Sequence, residues 1–139
     1  MNKKNLTGQI HNAMFQNIQK KGWVAPVDVL VGIGALSKHN LEDWRFGRIP
    51  FLEKACEPNL KQLSVIMHEI RAYAEKNNLK SSYTDYHQYG KHKKNKLRFS
   101  KSGDDRIEYH YATHFVDVKR VAALKNLLPM NRISNFDVD

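Results

Sequence analysis

Residues 59–78 read NLKQLSVIMHEIRAYAEKNN, and their periodicity decides the fold class. Leu60, Leu63, Ile66, Met67, Ile70, Tyr73 and Ala74 recur at three- and four-residue spacings, which predicts a helix over about 59–77 with one apolar stripe. That helix is the expected spine of the core. At Leu79 the period changes to two. SSYTDYHQYG (81–90), KLRFSK (96–101) and RIEYHYATHFV (106–116) are aromatic-rich and alternating, and SGDD (102–105) reads as a turn. These features predict an antiparallel hairpin or three-stranded meander near 82–116. On a strand over 106–116, Ile107, Tyr109, Tyr111, Thr113 and Phe115 share the face toward the helices, and Glu108, His110, Ala112 and His114 share the other.

Upstream, Leu6, Ile10, Ala13, Met14 and Ile18 mark an amphipathic helix closed by Lys20, Lys21 and Gly22. Pro26 opens a short buried helix in VDVLVGIGAL, Asn40 caps another with Glu42 and Asp43 in its first turn, and FLEKACE supplies one or two helical turns. At the other end Asp117 caps VKRVAALKNLL, which Pro129 stops. The sequence therefore predicts a single α+β domain over 1–139: a bundle of about five helices packed on a small antiparallel sheet. Residues 1–3 and 130–139 are expected to be poorly ordered.

With 139 residues, 41% of them hydrophobic, the chain has material for one modest core. Its longest apolar run is broken by Asp28 and is about half of a bilayer span, so no membrane segment is expected. The N-terminus lacks the apolar stretch of a secretory signal, which makes the cytoplasm the expected location. Cys56 is the single cysteine, excluding an internal disulfide and the multi-cysteine zinc patterns, and reads as a small core residue. No cofactor is indicated. GIGALS lacks the spacing and lysine of a phosphate loop, and His68–Glu69 lacks the second histidine of a zinc helix because position 72 is alanine.

Charge points to a class of partner. The net charge is +9, and residues 76–101 hold eight basic residues against the single acid Asp85. Lys91, Lys93, Lys94, Lys96, Arg98 and Lys101, placed on a loop between strands, are the candidate phosphate contacts, with Tyr83, Tyr86, Tyr89 and Phe99 close enough in sequence for base stacking. Two short helices joined by a tight turn and followed by a basic hairpin suggest a helix-turn-helix with a wing. Trp44 and Phe46 read as core anchors or as a partner surface.

No catalytic set is assigned. The candidates are His87, His110 and His114, with Glu108 beside them. On one strand His110 and His114 would lie about 13 Å apart, too far to share a metal, although either could pair across strands with His87, Tyr86 or Arg98.

VDVLVGIGALS, LEDWRFGRIPFLEKA and LRFSKSGDDRIEYHYATHF resemble stretches that occur together, in this order, in small uncharacterised bacterial proteins. The resemblance spans roughly residues 24–117 and implies no activity and no site residue. The residues themselves favour nucleic-acid binding, followed by a protein-interaction module at Trp44 and Phe46, then a small phosphodiester hydrolase using the strand histidines.

Overall fold

The computed structural model describes residues 3–132, with side chains over 5–127. It contains seven α-helices and a three-stranded sheet among the described residues: α1 (Lys3–Lys21), β1 (Trp23–Val24), α2 (Pro26–Gly32), α3 (Lys38–Arg45), α4 (Leu52–Ala55), α5 (Leu60–Lys76), β2 (Lys80–Tyr83), α6 (Asp105–Ala112), β3 (Thr113–Val116) and α7 (Val118–Arg132). The fold is α+β, a helical bundle on a small antiparallel sheet. The ends expected to be poorly ordered, 1–3 and 130–139, fall mostly outside the described residues.

The helix that defines the class begins where its sequence says. Asn59 accepts from the Gln62 amide at 2.9 Å while the Gln62 side chain accepts from the Asn59 amide at 3.1 Å, a reciprocal cap that satisfies two otherwise orphaned donors. Its stripe of Leu63, Ile66, Met67, Ile70 and Ala74 is buried in one core cluster with Ile10, Met14 and Ile18 of α1 and Val29 and Leu30 of α2. Removing each large apolar side chain from water contributes about 1.5–3 kcal/mol. Gly22 ends α1 at φ +84°, and a Cβ there would stand 2.6 Å from the Val121 side chain, so both backbone and packing require glycine.

The sheet order is β1-β3-β2, with β3 central and antiparallel to both neighbours; Trp23 pairs with Val116 and Lys80 also pairs with Val116. Thr113 and Phe115 point into the core, as expected for that face. The rest of the expected strand, 106–112, is instead helix α6. Asp104 is its N-cap, accepting from the Arg106 and Ile107 amides, so SGDD starts a helix rather than turning a hairpin. A 3.6 period then replaces alternation: Ile107 and Tyr109 are exposed, while Glu108, assigned to the outer face of a strand, turns inward.

KLRFSK is likewise not a strand. Only the His87–Lys96 bridge forms, because the backbone of 98 and 99 is taken by α4: the Leu52 amide donates to Arg98 and the Glu53 amide to Phe99. Ser37, not Asn40, caps α3, accepting from the Asn40 amide, while the Asn40 side chain donates to the Ala55 carbonyl and ties α3 to α4. Helix α7 begins at the Asp117 cap as expected but runs through Pro129, whose missing N–H removes one backbone bond.

Hydrogen bonds tie residues 27–37, 41–57 and 97–115 to one another. The Glu57 amide donates to the Ala35 carbonyl, the Trp44 indole to the Arg98 carbonyl at 2.8 Å, and the Tyr111 hydroxyl to Glu53 at 2.8 Å.

Candidate nucleic-acid interface

Glu108 and Glu53 hold the segment that follows the basic run. Glu108 accepts from the Phe99 amide and, at 2.6 Å, from both the amide and the hydroxyl of Ser100; Glu53 accepts from the Lys101 amide at 2.8 Å. Arg98 closes the same loop from within, donating to the carbonyls of Ser100 and Lys101 and lying over the Phe51 ring. Two donors of this expected phosphate contact are thereby committed internally.

The run itself is differently disposed. Gly90–His92 forms one 3-10 turn, and Lys91, Lys93 and Lys94 are exposed, with no carboxylate or hydrogen-bond partner among the described residues. Lys96 is anchored. Its ammonium donates to the Tyr83 hydroxyl at 3.1 Å and lies 3.4 Å from Asp85, and the Tyr83 hydroxyl, then Asp85, holds its pKa above the ordinary value. Lys101 is exposed at the far end of the segment.

Two aromatic pairs flank this run. Tyr83 and Tyr109 stack in parallel at 5.5 Å, and Phe46 and Tyr89 meet edge to face at 5.6 Å. All four rings are exposed: 45% and 47% for the first pair, 37% and 46% for the second. Tyr89 starts the basic turn and Lys96, which ends it, bonds Tyr83, so the lysines run from one pair to the other. Arg45 lies 4.0 Å from the Tyr89 ring centre and Arg48 5.0 Å from that of Phe46, adding cations to the second pair. Neither arginine is among the contacts expected from sequence; the alternation WRFGR (44–48) was the available signal. Asp43 is neutralised locally, 2.9 Å from Arg48 and 3.3 Å from His39.

Trp44 leaves the surface altogether. It is fully buried, tilted against Phe99 at 5.0 Å and Tyr86 at 5.8 Å, so its reading as a partner surface is corrected in favour of a core anchor; of that pair only Phe46 is available. Tyr86 and Phe99, counted with the stacking rings, are also buried.

The histidines are dispersed. His87 is exposed beside Lys96, His110 lies on α6 facing α5, and His114 on β3 stacks on Trp23 at 5.0 Å. Of the expected cross-strand pairings one forms: His114 Nε2 and the Tyr86 hydroxyl are 2.7 Å apart, with Thr84 Oγ1 3.4 Å from Nδ1. Both ring nitrogens of His114 are thus occupied within the fold. Among the described residues no three His, Cys, Asp or Glu side chains converge on a metal position. Cys56 is held as a thiol, its pKa pushed up to about 12 by burial and by Glu53.

Burial lowers the pKa of His114, with Asp28 opposing and Lys21 adding to the effect; burial, then Arg71 and Arg106, lowers that of His110. The unfolded chain therefore binds protons that the folded chain refuses, and the stability due to these neutral rings is complete above the ordinary 6.5 and lost as pH falls below it. The urea midpoint is expected to fall between about pH 7.5 and 5.5, before most carboxylates titrate. The imidazole NMR signals of both residues should titrate below 6.5; titration at or above that value would contradict the burial seen for them.

No protein-family model, curated protein or solved structure matches this chain.

Proposed function

We propose that the protein binds nucleic acid across the face formed by Lys91, Lys93, Lys94, Lys96 and Lys101 and the exposed rings at the two ends of the basic run. The observation that carries this reading is the placement of three unpartnered lysines between the pairs Tyr83–Tyr109 and Phe46–Tyr89. Lysine stems meet backbone phosphates without demanding a base sequence, and exposed rings offer stacking surfaces to bases that are not paired. The ligand is therefore a strand with unpaired bases.

The helix-turn-helix element has a lesser part. Helices α2 and α3 are joined by the turn over 33–37, but α3 presents Lys38, His39 and Glu42 outward, a mixed set that gives little net attraction to phosphate. The basic segment between β2 and β3 carries the binding.

Affinity for a single-stranded oligonucleotide is expected to fall steeply between about 50 and 200 mM salt, with a log–log slope near −0.7 per phosphate neutralised. Replacing Lys91, Lys93 and Lys94 with alanine should reduce that slope by about 2 and leave urea stability unchanged, since none has a partner in the fold. Fluorescence anisotropy measures the slope, and urea unfolding the stability. Salt-independent binding, or a slope untouched by the triple variant, would rule out the lysines as phosphate contacts.

A further inference from the structure

Residues of helices α5 and α6 line a cleft of about 480 Å³ that the basic face does not include. Leu60 and Met67 of α5 and Ile107 and Tyr111 of α6 line it, and Leu60 and Ile107 are large apolar side chains left exposed. Its polar lining carries two cations against one carboxylate. Arg71 comes from α5, Arg106 and His110 from α6, with the hydroxyls of Ser64 and Ser102.

Neither guanidinium makes a hydrogen bond or ion pair among the described residues, and both act electrostatically on His110, which places like charges around one point without a counter-ion. Burial also lowers the pKa of Arg71, a sign that its charge has lost water without gaining an anion. The one carboxylate in the lining is Glu53, which makes no ion pair with either guanidinium and turns its two oxygens to the Lys101 amide and the Tyr111 hydroxyl.

We propose that this cleft binds a small amphipathic anion, an apolar chain or ring bearing one carboxylate or phosphate, with the oxyanion on Arg71 and Arg106 and the apolar body on Leu60, Met67 and Ile107. Two planar forks supply the bidentate geometry that carboxylate and phosphate oxygens fit, and the volume falls in the range of small-molecule sites. A neutral apolar molecule would cover the floor but leave both charges unanswered. The assignment is independent of nucleic-acid binding, because no lining residue belongs to the basic run.

The test is calorimetric titration of the full chain with decanoate, decyl phosphate and decanol. Both anions should bind saturably at one site, decanol about tenfold or more weaker, and the tighter anion identifies the head group. Arg71→Gln and Arg106→Gln should each weaken the anions about tenfold and leave decanol unchanged, whereas replacing Lys91, Lys93 and Lys94 with alanine should alter none of the three. Should either arginine variant fail to fold, the wild-type Met67 methyl signal followed by NMR still decides, since it must shift with decanoate and saturate at the calorimetric ratio. Equal affinity for decanol and decanoate, indifference to both arginine variants in folded protein, a Met67 methyl that does not move, or absence of saturable binding would each overturn the proposal.

Discussion

Replacing Trp44 with alanine is expected to destabilise the protein by about 3–5 kcal/mol, the cost of deleting a fully packed indole. The ring joins the two halves of the chain. From α3 it contacts Phe99 and Tyr86, and its N–H donates to the Arg98 carbonyl, which also accepts from the Leu52 amide at 3.1 Å. Because that carbonyl keeps a second donor, Trp44→Phe should cost only about 1–3 kcal/mol, chiefly through the smaller ring. Urea unfolding of the two variants measures both values. A loss below about 1 kcal/mol for Trp44→Ala would contradict a core built around this ring.

Glu108→Ala is the second large effect. It leaves the Phe99 amide, the Ser100 amide and the Ser100 hydroxyl without an acceptor, and Phe99 and Ser100 are both buried. Hydrogen bonds to a charged group contribute about 1.5–3 kcal/mol each and do not add fully, so a loss of about 3 kcal/mol or more is expected. Glu108→Gln keeps one acceptor oxygen in place and should lose about half as much. The loop that orders Arg98 and Lys101 depends on these bonds, so Glu108→Ala should also weaken oligonucleotide binding more than Glu108→Gln does. A Glu108→Ala variant as stable as the wild type would show that the carboxylate does not organise the loop.

How far the sequence was legible varied with the length of each signal. Helix α5, 17 residues long, offered an unbroken period and a cap written as Asn59 and Gln62; α1, 19 residues long, offered the same period and a terminal Gly22. Residues 105–112 offered two turns, in which Ile107, Tyr109 and Tyr111 also satisfy a strand, and tertiary context settled the choice. The inward demand of the Phe99 and Ser100 donors draws Glu108 into the fold, which a helix capped at Asp104 meets and an alternating strand of the expected register does not.

The same limit applies to function. That Lys91, Lys93 and Lys94 are exposed follows from their charge, but the sorting of aromatics into buried Tyr86 and Phe99 and exposed Tyr83 and Tyr89 depends on which neighbours cover them. The cleft that brings Arg71 to Arg106 and His110 joins two distant segments and has no local signature.

Nucleic-acid recognition by this face is tested most directly by comparing a single strand with a duplex of equal length, on the wild type and on a Tyr83→Ser, Tyr89→Ser variant. Stacking contributes about 1–3 kcal/mol per base, so the wild type should favour the single strand, and the variant should lose about tenfold or more on it while keeping the wild-type salt slope. Equal binding of single strand and duplex, unchanged by loss of the two rings, would contradict stacking on these rings and leave the basic run without a recognised ligand.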